Sequence, residues 1–199
     1  MKYLKVMFST KSRYSDYEYK IDEVNIANEW NPFGKTPKEI GGFNFSNDKN
    51  IIRWLHNGDT IYDVEIPEDA EVISVINCAT PNGVFRSNKI IIKNPRKVDD
   101  EMALKFYENA VIPEGAFPKA LAGIAAMDYY NTANRIFSDK VSKENISYYL
   151  SEWDDFISKR ERKDCNETVK EIEAKLREMY MNTKVVKWNI HTYRTIYEV

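Results

Sequence analysis

The sequence predicts an α+β fold, in which a β-rich unit is followed by helices. Residues 1–97 hold short segments that alternate apolar and polar side chains, whereas residues 98–183 hold apolar side chains at spacings of three and four. The last segment, 184–199, is rich in β-branched and aromatic residues. We therefore expect an N-terminal mixed β-sheet domain with one inserted short helix, a helical subdomain of about four helices, and a C-terminal strand that returns to the sheet.

The N-terminal segments show both strand and loop patterns. Tyr3 to Phe8 mixes β-branched, aromatic and apolar residues, which favours a strand. Tyr17 to Asp22 alternates Tyr, Tyr and Ile with Glu, Lys and Asp, which predicts a strand with one wet face. Asn25 to Ile40 contains Gly and Pro residues and shows no periodic spacing of apolar side chains. We therefore expect a long loop with Trp30 and Phe33 as anchors.

The stretch Gly-Gly-Phe-Asn-Phe-Ser at 41–46 is predicted to be a backbone turn leading into a short buried strand. A short helix follows, because Ile51, Trp54 and Leu55 fall at i, i+3 and i+4. We expect Gly58 to end this helix in a left-handed conformation.

The remaining strands of the first unit are separated by turn signals. Thr60 to Ile66 alternates again, and Val72 to Ile76 reads as a mostly buried strand. Pro81-Asn82-Gly83 is a tight-turn signal, since Asn and Gly tolerate positive φ. Val84 to Lys93 contains three consecutive isoleucines, which predicts a central strand.

Four amphipathic helices are predicted after residue 98. They begin near Asp99 or Asp100, near Pro118, near Ser142, and near Asn166 or Asp164, all of which suit a helix start. The third helix has the clearest apolar stripe, formed by Ile146, Tyr149, Leu150, Trp153, Phe156 and Ile157. Alternation at Val186, Trp188 and Ile190 predicts the terminal strand.

Composition excludes several classes of protein. The net charge of −2 gives no general attraction to nucleic acid. Cys78 and Cys165 form no CxxC pair, and no apolar leader or uncharged run of membrane-spanning length occurs, so we expect a cytoplasmic protein without a membrane segment. His56 and His191 have no His or Cys at ligand spacing, so no metal site is expected.

A group of cationic and aromatic residues is the best sign of a binding site. Arg53 lies beside Trp54, while Arg86 and Lys89 begin and end the polar quartet Arg86-Ser87-Asn88-Lys89, which precedes an apolar strand. Polar residues at that position predict a cleft at one end of the sheet that can bind anions. The alternative is plain solvation of the strand ends.

The first unit also resembles known proteins. A strand, a Tyr-rich strand, a loop, Gly-Gly-Phe-Asn-Phe-Ser, a helix and Gly-Asp-x-x-Tyr-Asp-Val-x-Ile-Pro-x-Asp-Ala follow one another. This order looks like the small β-domain of uncharacterised phage and prophage proteins, and over about residues 1–95 it resembles the ADP-ribosyltransferase-like fold. The second resemblance implies an Arg or His on an early strand, a Ser or Tyr on a middle strand and a catalytic Glu on a later strand. The corresponding positions are Arg13, Ser46 and the segment 86–89, which contains no Glu.

Two functional hypotheses follow. The first is a non-enzymatic binding protein of phage or mobile-element type, without a cofactor, that inhibits a host defence system through the loop at 25–40 and the anion- or nucleotide-binding cleft. Its partner would be a protein, with nucleotide or nucleic acid as further ligands. The alternative is an NAD-dependent ADP-ribosyltransferase, with Ser46 orienting NAD and Glu65 or Glu71 as the acidic residue. The candidate ligand-binding residues are Arg13, Trp30, Phe43, Phe45, Ser46, Arg53, Arg86, Asn88 and Lys89.

Overall fold

A computed structural model describes residues 2–12, 17–75, 83–159 and 166–196. Its strands lie in the N-terminal half and its helices mostly in the C-terminal half, so the expected α+β class is confirmed. Four features singled out in the sequence lie outside the described residues: Arg13, the Pro81-Asn82 part of the turn signal, Cys78 and Cys165.

One sheet of seven strands organises the first half of the chain, in the spatial order β2-β7-β4-β1-β3-β6-β5. The strands are β1 Tyr3–Met7, β2 Val24–Ile26, β3 Phe43–Asn47, β4 Thr60–Glu65, β5 Val72–Ser74, β6 Val84–Ser87 and β7 Lys89–Lys97. Every pairing between these strands is antiparallel, and a single parallel bridge joins Ile21 to Ile92. β1 and β4 therefore lie at the centre of the sheet.

Six α-helices and two short 3₁₀ helices complete the described fold. The α-helices are α1 Pro37–Ile40, α2 Asp100–Glu108, α3 Phe117–Ala126, α4 Tyr130–Lys140, α5 Ile146–Ser158 and α6 Glu167–Ile196, and the 3₁₀ helices are Ile51–Asn57 and Glu114–Ala116. The helix expected inside the sheet unit is thus the 3₁₀ helix Ile51–Asn57, and the loop expected at 25–40 contains the end of β2 and all of α1. The expectation that Phe33 anchors this loop was wrong, because its side chain is 91% exposed and packs into no core.

Several strand predictions were wrong. The strand expected to be mostly buried at 72–76 is the edge strand β5, in which Val72 is 39% exposed, and Ile76 lies outside the described residues. The single strand expected at 84–93 is divided into β6 and β7.

The segment 17–22 forms no regular strand and joins its neighbours through isolated bridges at Glu18 and Ile21. The segment expected to return to the sheet continues α6 as far as Ile196, and 197–199 lie outside the described residues. Salt bridges at i, i+4, such as Glu171 with Lys175, support the start of this helix, and an established helix extends at little cost per residue.

Gly58 is needed for close packing rather than for a left-handed turn. Its φ is −179°, which is extended backbone, so the expected left-handed conformation was wrong. A Cβ at Gly58 would lie 2.2 Å from the carbonyl carbon of Met7. The 3₁₀ helix Ile51–Asn57 therefore ends directly against β1, where only glycine fits.

The two faces of the sheet are covered differently. On the helix-covered face, Leu4 and Ile61 share a buried apolar cluster with residues of the 3₁₀ helix Ile51–Asn57 and of α2 to α6. On the opposite face, which we call the aromatic face, Tyr19 and Phe43 belong to a second cluster. Tyr19 lies on the segment 17–22, so an irregular stretch of chain, and no helix, contributes to this second cluster.

Candidate functional site: a cavity between two strands

A cavity opens where β1 and β3 separate. β1 pairs with β4 from Tyr3 through Met7 but with β3 only at Tyr3 and Leu4. From Lys5 onward the two strands diverge, and a cavity of about 510 Å³ lies between them and the 3₁₀ helix Ile51–Asn57. This volume is within the usual range of small-molecule sites.

The cavity is lined by basic, aromatic and small polar side chains. The lining residues are Leu4, Lys5, Val6, Met7, Phe8, Ser9, Lys11, Ser12, Tyr19, Asn44, Phe45, Ser46, Ile51, Trp54, His56, Asn57 and Val84. Their ionisable groups are two lysines, a tyrosine and a histidine, and no carboxylate is found among the described lining residues. The lining therefore favours negatively charged ligands over cations.

Lys5 is the central polar group of the cavity. Alternation along β1 places it on the aromatic face, and it is only 7% exposed. Its Nζ donates to the backbone oxygen of Asn44 at 2.7 Å and to Asn44 Oδ1 at 3.0 Å, and lies 5.0 Å from the centre of the Tyr19 ring. Burial, with a contribution from Arg86, lowers the pKa of Lys5 to about 7. No described carboxylate forms a salt bridge with it.

Aromatic rings form a wall beside the amine. Phe45 stacks on Phe85 with ring centres 5.7 Å apart, and Tyr19 lies 5.2 Å from Phe43. Trp54 lines the cavity from the 3₁₀ helix, and its buried Nε1 has no hydrogen-bond partner in the described part of the chain.

Two of the residues selected from the sequence line this cavity, namely Phe45 and Ser46. The hydroxyl of Ser46 donates to the backbone oxygen of Gly83 at 2.6 Å, so its proton is already engaged. Phe43 lies in the aromatic face, where its ring packs against Tyr17 at 4.9 Å. Phe43 therefore packs against the aromatic wall and does not line the cavity.

Arg53 and Arg86 face different groups. Arg53 is 8% exposed, interacts electrostatically with Glu152 and Tyr148 of α5, and has a pKa lowered by burial. Its Nε and Nη1 have no hydrogen-bond partner among the residues described. Arg86 is half-buried on β6, donates from Nη1 to the backbone oxygen of Gly41, and also has a pKa lowered by burial. Of the two arginines, Arg86 is the one whose positive charge helps to lower the pKa of Lys5.

The other selected residues meet near the start of β5. Trp30 Nε1 donates to Glu71 Oε2 at 2.7 Å, and the backbone nitrogen of Glu71 donates to Asn88 Oδ1 at 2.8 Å. Lys89 forms a salt bridge with Asp69. These contacts join loops to one another, and none of the three selected residues lines the cavity.

Sequence reasoning missed the most distinctive residues of the cavity, Lys5, Tyr19 and Asn44. One signal was present, because Lys5 occupies an inward-facing position of β1 between Tyr3 and Met7. A lysine at such a position is unusual unless its amine has a local partner. The partner, Asn44, is 39 residues away, so the sequence did not reveal it.

The comparisons with known proteins assign this chain to no family. Comparisons with protein-family models, with curated proteins and with solved structures gave no match. The cavity must therefore be interpreted from its own geometry.

Two further features, a metal-binding cluster and a membrane-spanning helix, are absent from the described residues. No three His, Cys, Asp or Glu side chains there are grouped so as to hold a metal ion. No helix in the ranges given above is both long enough and apolar enough to cross a bilayer.

Proposed function

We propose that this protein is a non-enzymatic binding protein whose cavity between β1 and β3 takes a small organic anion that carries a planar ring. The observation that supports this proposal is Lys5, a buried amine without a carboxylate partner among the described residues, in a cavity with basic and aromatic lining. Nucleotides and aromatic carboxylates both have the required chemistry.

The low pKa of the Lys5 amine is the reason to expect an anionic ligand. Burial disfavours its charged form, and Arg86 adds positive potential in the same direction. An anion beside the amine would reverse this effect and raise the pKa of Lys5 above about 7. Binding near neutral pH should therefore be accompanied by proton uptake, which calorimetry in buffers of different ionisation enthalpy measures directly.

The aromatic lining of the cavity is the reason to expect a planar ring in the ligand. Tyr19, Phe45 and Trp54 line the cavity and offer ring surfaces on which a flat group can pack. Apolar rings combined with a few polar groups are typical of small-ligand sites.

A matched ligand panel tests the proposal by thermal shift. AMP, NAD and an aromatic carboxylate should raise the melting temperature, whereas adenosine and the corresponding aromatic amide should not. Lys5→Met should remove the shift, and Lys20→Met should keep it, because the side chain of Lys20 is 70% exposed and pairs only with Glu23. The proposal fails if no anion shifts the protein, or if Lys5→Met responds like the wild type.

The transferase hypothesis has less support. Neither Glu65 nor Glu71 lines the cavity, because Glu65 pairs with Lys93 at 2.6 Å and Glu71 accepts from Trp30. A transferase of the kind expected from the resemblance needs a carboxylate beside its ligand. Release of nicotinamide from NAD in the same panel would favour the transferase over the binding protein.

A protein partner is the second part of the proposal, in the cytoplasmic, phage or mobile-element setting expected from the sequence. Its support is the segment at 25–40, which exposes two large apolar side chains: Ile26 is 58% exposed and Phe33 is 91% exposed. Exposed apolar side chains of this size suit a contact surface. Phe33→Ser should lose partners that co-purify with the wild type from host cells. Identical partners for both proteins would exclude this surface.

A further inference from the structure

We propose that Lys5 is a site of covalent attachment, at which its ε-amine forms an imine with an anionic aldehyde bound in the cavity between β1 and β3. The inference rests on the proposed function, because the same cavity must take the ligand. It adds a chemical class of ligand, an aldehyde that carries a phosphate or carboxylate group, and a specific reacting atom, Lys5 Nζ.

The hydrogen bonds of Lys5 suit a neutral amine. A neutral amine has two N–H donors and one lone pair, whereas an ammonium group has three donors and no lone pair. Nζ has two oxygen acceptors, both from Asn44, at 2.7 and 3.0 Å. These two bonds satisfy the neutral form completely and leave its lone pair unused. The Tyr19 ring, 5.0 Å away, remains available to the charged form.

The surroundings of Lys5 also favour the neutral amine. The described charged and titratable groups that face it or share its cavity are Arg86 on β6, Tyr19 on the segment 17–22, Lys11 and His56. None of them is a carboxylate. An ordinary lysine is only about 0.1% neutral at pH 7.4. Burial lowers the pKa of Lys5 to about 7, so a large fraction of this amine is nucleophilic near neutral pH.

The cavity supplies the other requirement, access for a carbonyl carbon. Lys5 lines the cavity, so a bound ligand can reach it without passing through packed core. Lys11 also lines the cavity, and Arg86 adds positive potential, so an anionic group can be held while Lys5 reacts. Lys5 thus differs from the exposed lysines in both protonation and position.

The reaction is balanced without a further reactant. The lone pair of Nζ attacks the carbonyl carbon, a C–N bond forms, and the carbonyl π electrons move to oxygen. Proton transfer from nitrogen to oxygen gives a carbinolamine, which loses water to form the imine. No atom is oxidised or reduced, and the addition of water releases the aldehyde and the amine again.

Reductive trapping tests the inference. The whole protein is incubated with pyridoxal 5′-phosphate, reduced with cyanoborohydride and digested, and the modified lysines are located by peptide mass spectrometry. We expect Lys5 to be labelled at least ~10-fold faster than exposed lysines at pH 7, because its neutral fraction is far larger. Lys5→Arg should lose this adduct, and Lys20→Arg should keep it.

The pH dependence in the wild type needs no substitution. The rate of labelling at Lys5 should reach half its maximum near pH 7, whereas labelling of exposed lysines should still rise above pH 9. Labelling spread over exposed lysines with none at Lys5, or a midpoint for Lys5 near that of the exposed lysines, would overturn the inference.

A ligand without an aldehyde separates this inference from the proposed function. Pyridoxine 5′-phosphate has the same ring and phosphate but an alcohol in place of the aldehyde. If it raises the melting temperature while pyridoxal 5′-phosphate leaves Lys5 unmodified, the covalent site is rejected and the anion-binding role stands. If an uncharged aldehyde such as butanal labels Lys5 equally well, the covalent site stands and the preference for anions is rejected.

Discussion

The two faces of the sheet carry the same strands but differ in what they bury. On the helix-covered face, Leu55, Ile61 and Leu121 are fully buried in an apolar cluster that joins the strands to the helices. On the aromatic face, Lys5 and Tyr19 are also buried, beside a cavity. Burial on the first face is mostly apolar, and its buried Arg53 interacts electrostatically with Glu152 on α5, whereas the buried Lys5 on the second face has no counter-ion among the described residues.

The contrast between the two faces indicates which part of the molecule stabilises the fold and which part binds a ligand. Close aliphatic packing contributes most of the stability of a domain, since the apolar surface is removed from water without polar groups. A buried amine has the opposite effect, because its charged form is costly to desolvate. The aromatic face keeps such a group where β1 and β3 diverge, so we place stability in the packed cluster of the helix-covered face and ligand binding in the gap between these two strands.

The largest expected effect comes from Gly58, where the 3₁₀ helix Ile51–Asn57 meets β1. Gly58→Ala should lower the free energy of unfolding by about 4 kcal/mol, because the new Cβ overlaps the Met7 backbone and the neighbours are main-chain atoms that cannot rotate away. Urea denaturation measures this change. The matched control is Gly115→Ala, whose Cβ would meet only Tyr148 Oη at 3.8 Å and should cost less than about 0.5 kcal/mol. Equal effects at both glycines would show that the contact with β1 is loose.

The second prediction compares the two faces directly. Leu121→Ala on α3 should cost about 3 kcal/mol, since it leaves a cavity in fully buried aliphatic packing. Phe43→Leu on the aromatic face should cost about 1.5 kcal/mol or less, because the aromatic neighbours can adjust beside an existing cavity. If the Phe43 variant were the more damaging of the two, the assignment of stability to the helix-covered face would be reversed.

The third prediction concerns Asp100, which joins α2 to the start of α4. Its carboxylate accepts from the backbone nitrogen of Asn131 at 2.7 Å and from that of Thr132 at 3.0 Å, as well as from both side chains. Asp100→Ala should cost about 2 kcal/mol, because charged hydrogen bonds are lost and donors are left unpaired. Asp155→Ala is the control, since the carboxylate of Asp155 forms an exposed pair with Lys159 and its loss should cost less than about 1 kcal/mol.

The pH dependence of the Asp100 effect provides an independent check. Burial raises the pKa of Asp100, but the hydrogen bonds from Thr132 and Asn131 outweigh burial, so the pKa lies below the ordinary 3.8. The stabilisation is therefore present above pH 3.8 and lost as the pH falls through the folded-state value. The difference between wild type and Asp100→Ala should shrink in acid. A difference that stays constant between pH 7 and pH 2 would contradict a role for the charge.

The smallest expected effect is the contribution of Lys5 to the slope of the free energy of unfolding against pH. The folded-state pKa of about 7 lies below the ordinary 10.5, so the unfolded chain binds a proton that the folded chain does not. Stability should therefore rise with pH between these values, by up to about 1.4 kcal/mol per pH unit. Lys5→Met should lack this contribution when unfolding is measured at pH 7.5 and 8.5, and Lys20→Met should retain it. A Lys5→Met slope equal to that of the wild type would show that Lys5 is solvated.

Several elements followed from local patterns in the sequence. The stripe Ile146, Tyr149, Leu150 and Trp153 predicts α5, and all four side chains are buried. Alternation from Thr60 predicts β4, which begins at that residue. These predictions succeed because the repeat of a helix or strand is expressed within a few neighbouring residues.

The same local reasoning failed where a distant part of the chain decides the outcome. Gly58 reads as a helix cap but is required by its contact with Met7, and the alternation at 184–199 is overridden by the continuation of α6. The candidate site shows the same limit, since Arg53 and Arg86 looked like one cleft but face different elements.

Composition and short-range periodicity were enough to predict the α+β class, most of the helices and strands, and which side chains are apolar enough to be buried. The divergence of β1 and β3 after Leu4, and the contact of Lys5 with Asn44 beside a cavity, became visible only in the folded chain. The reason is physical: the order of strands in a sheet brings together residues that are far apart in the chain, and no local period records that order.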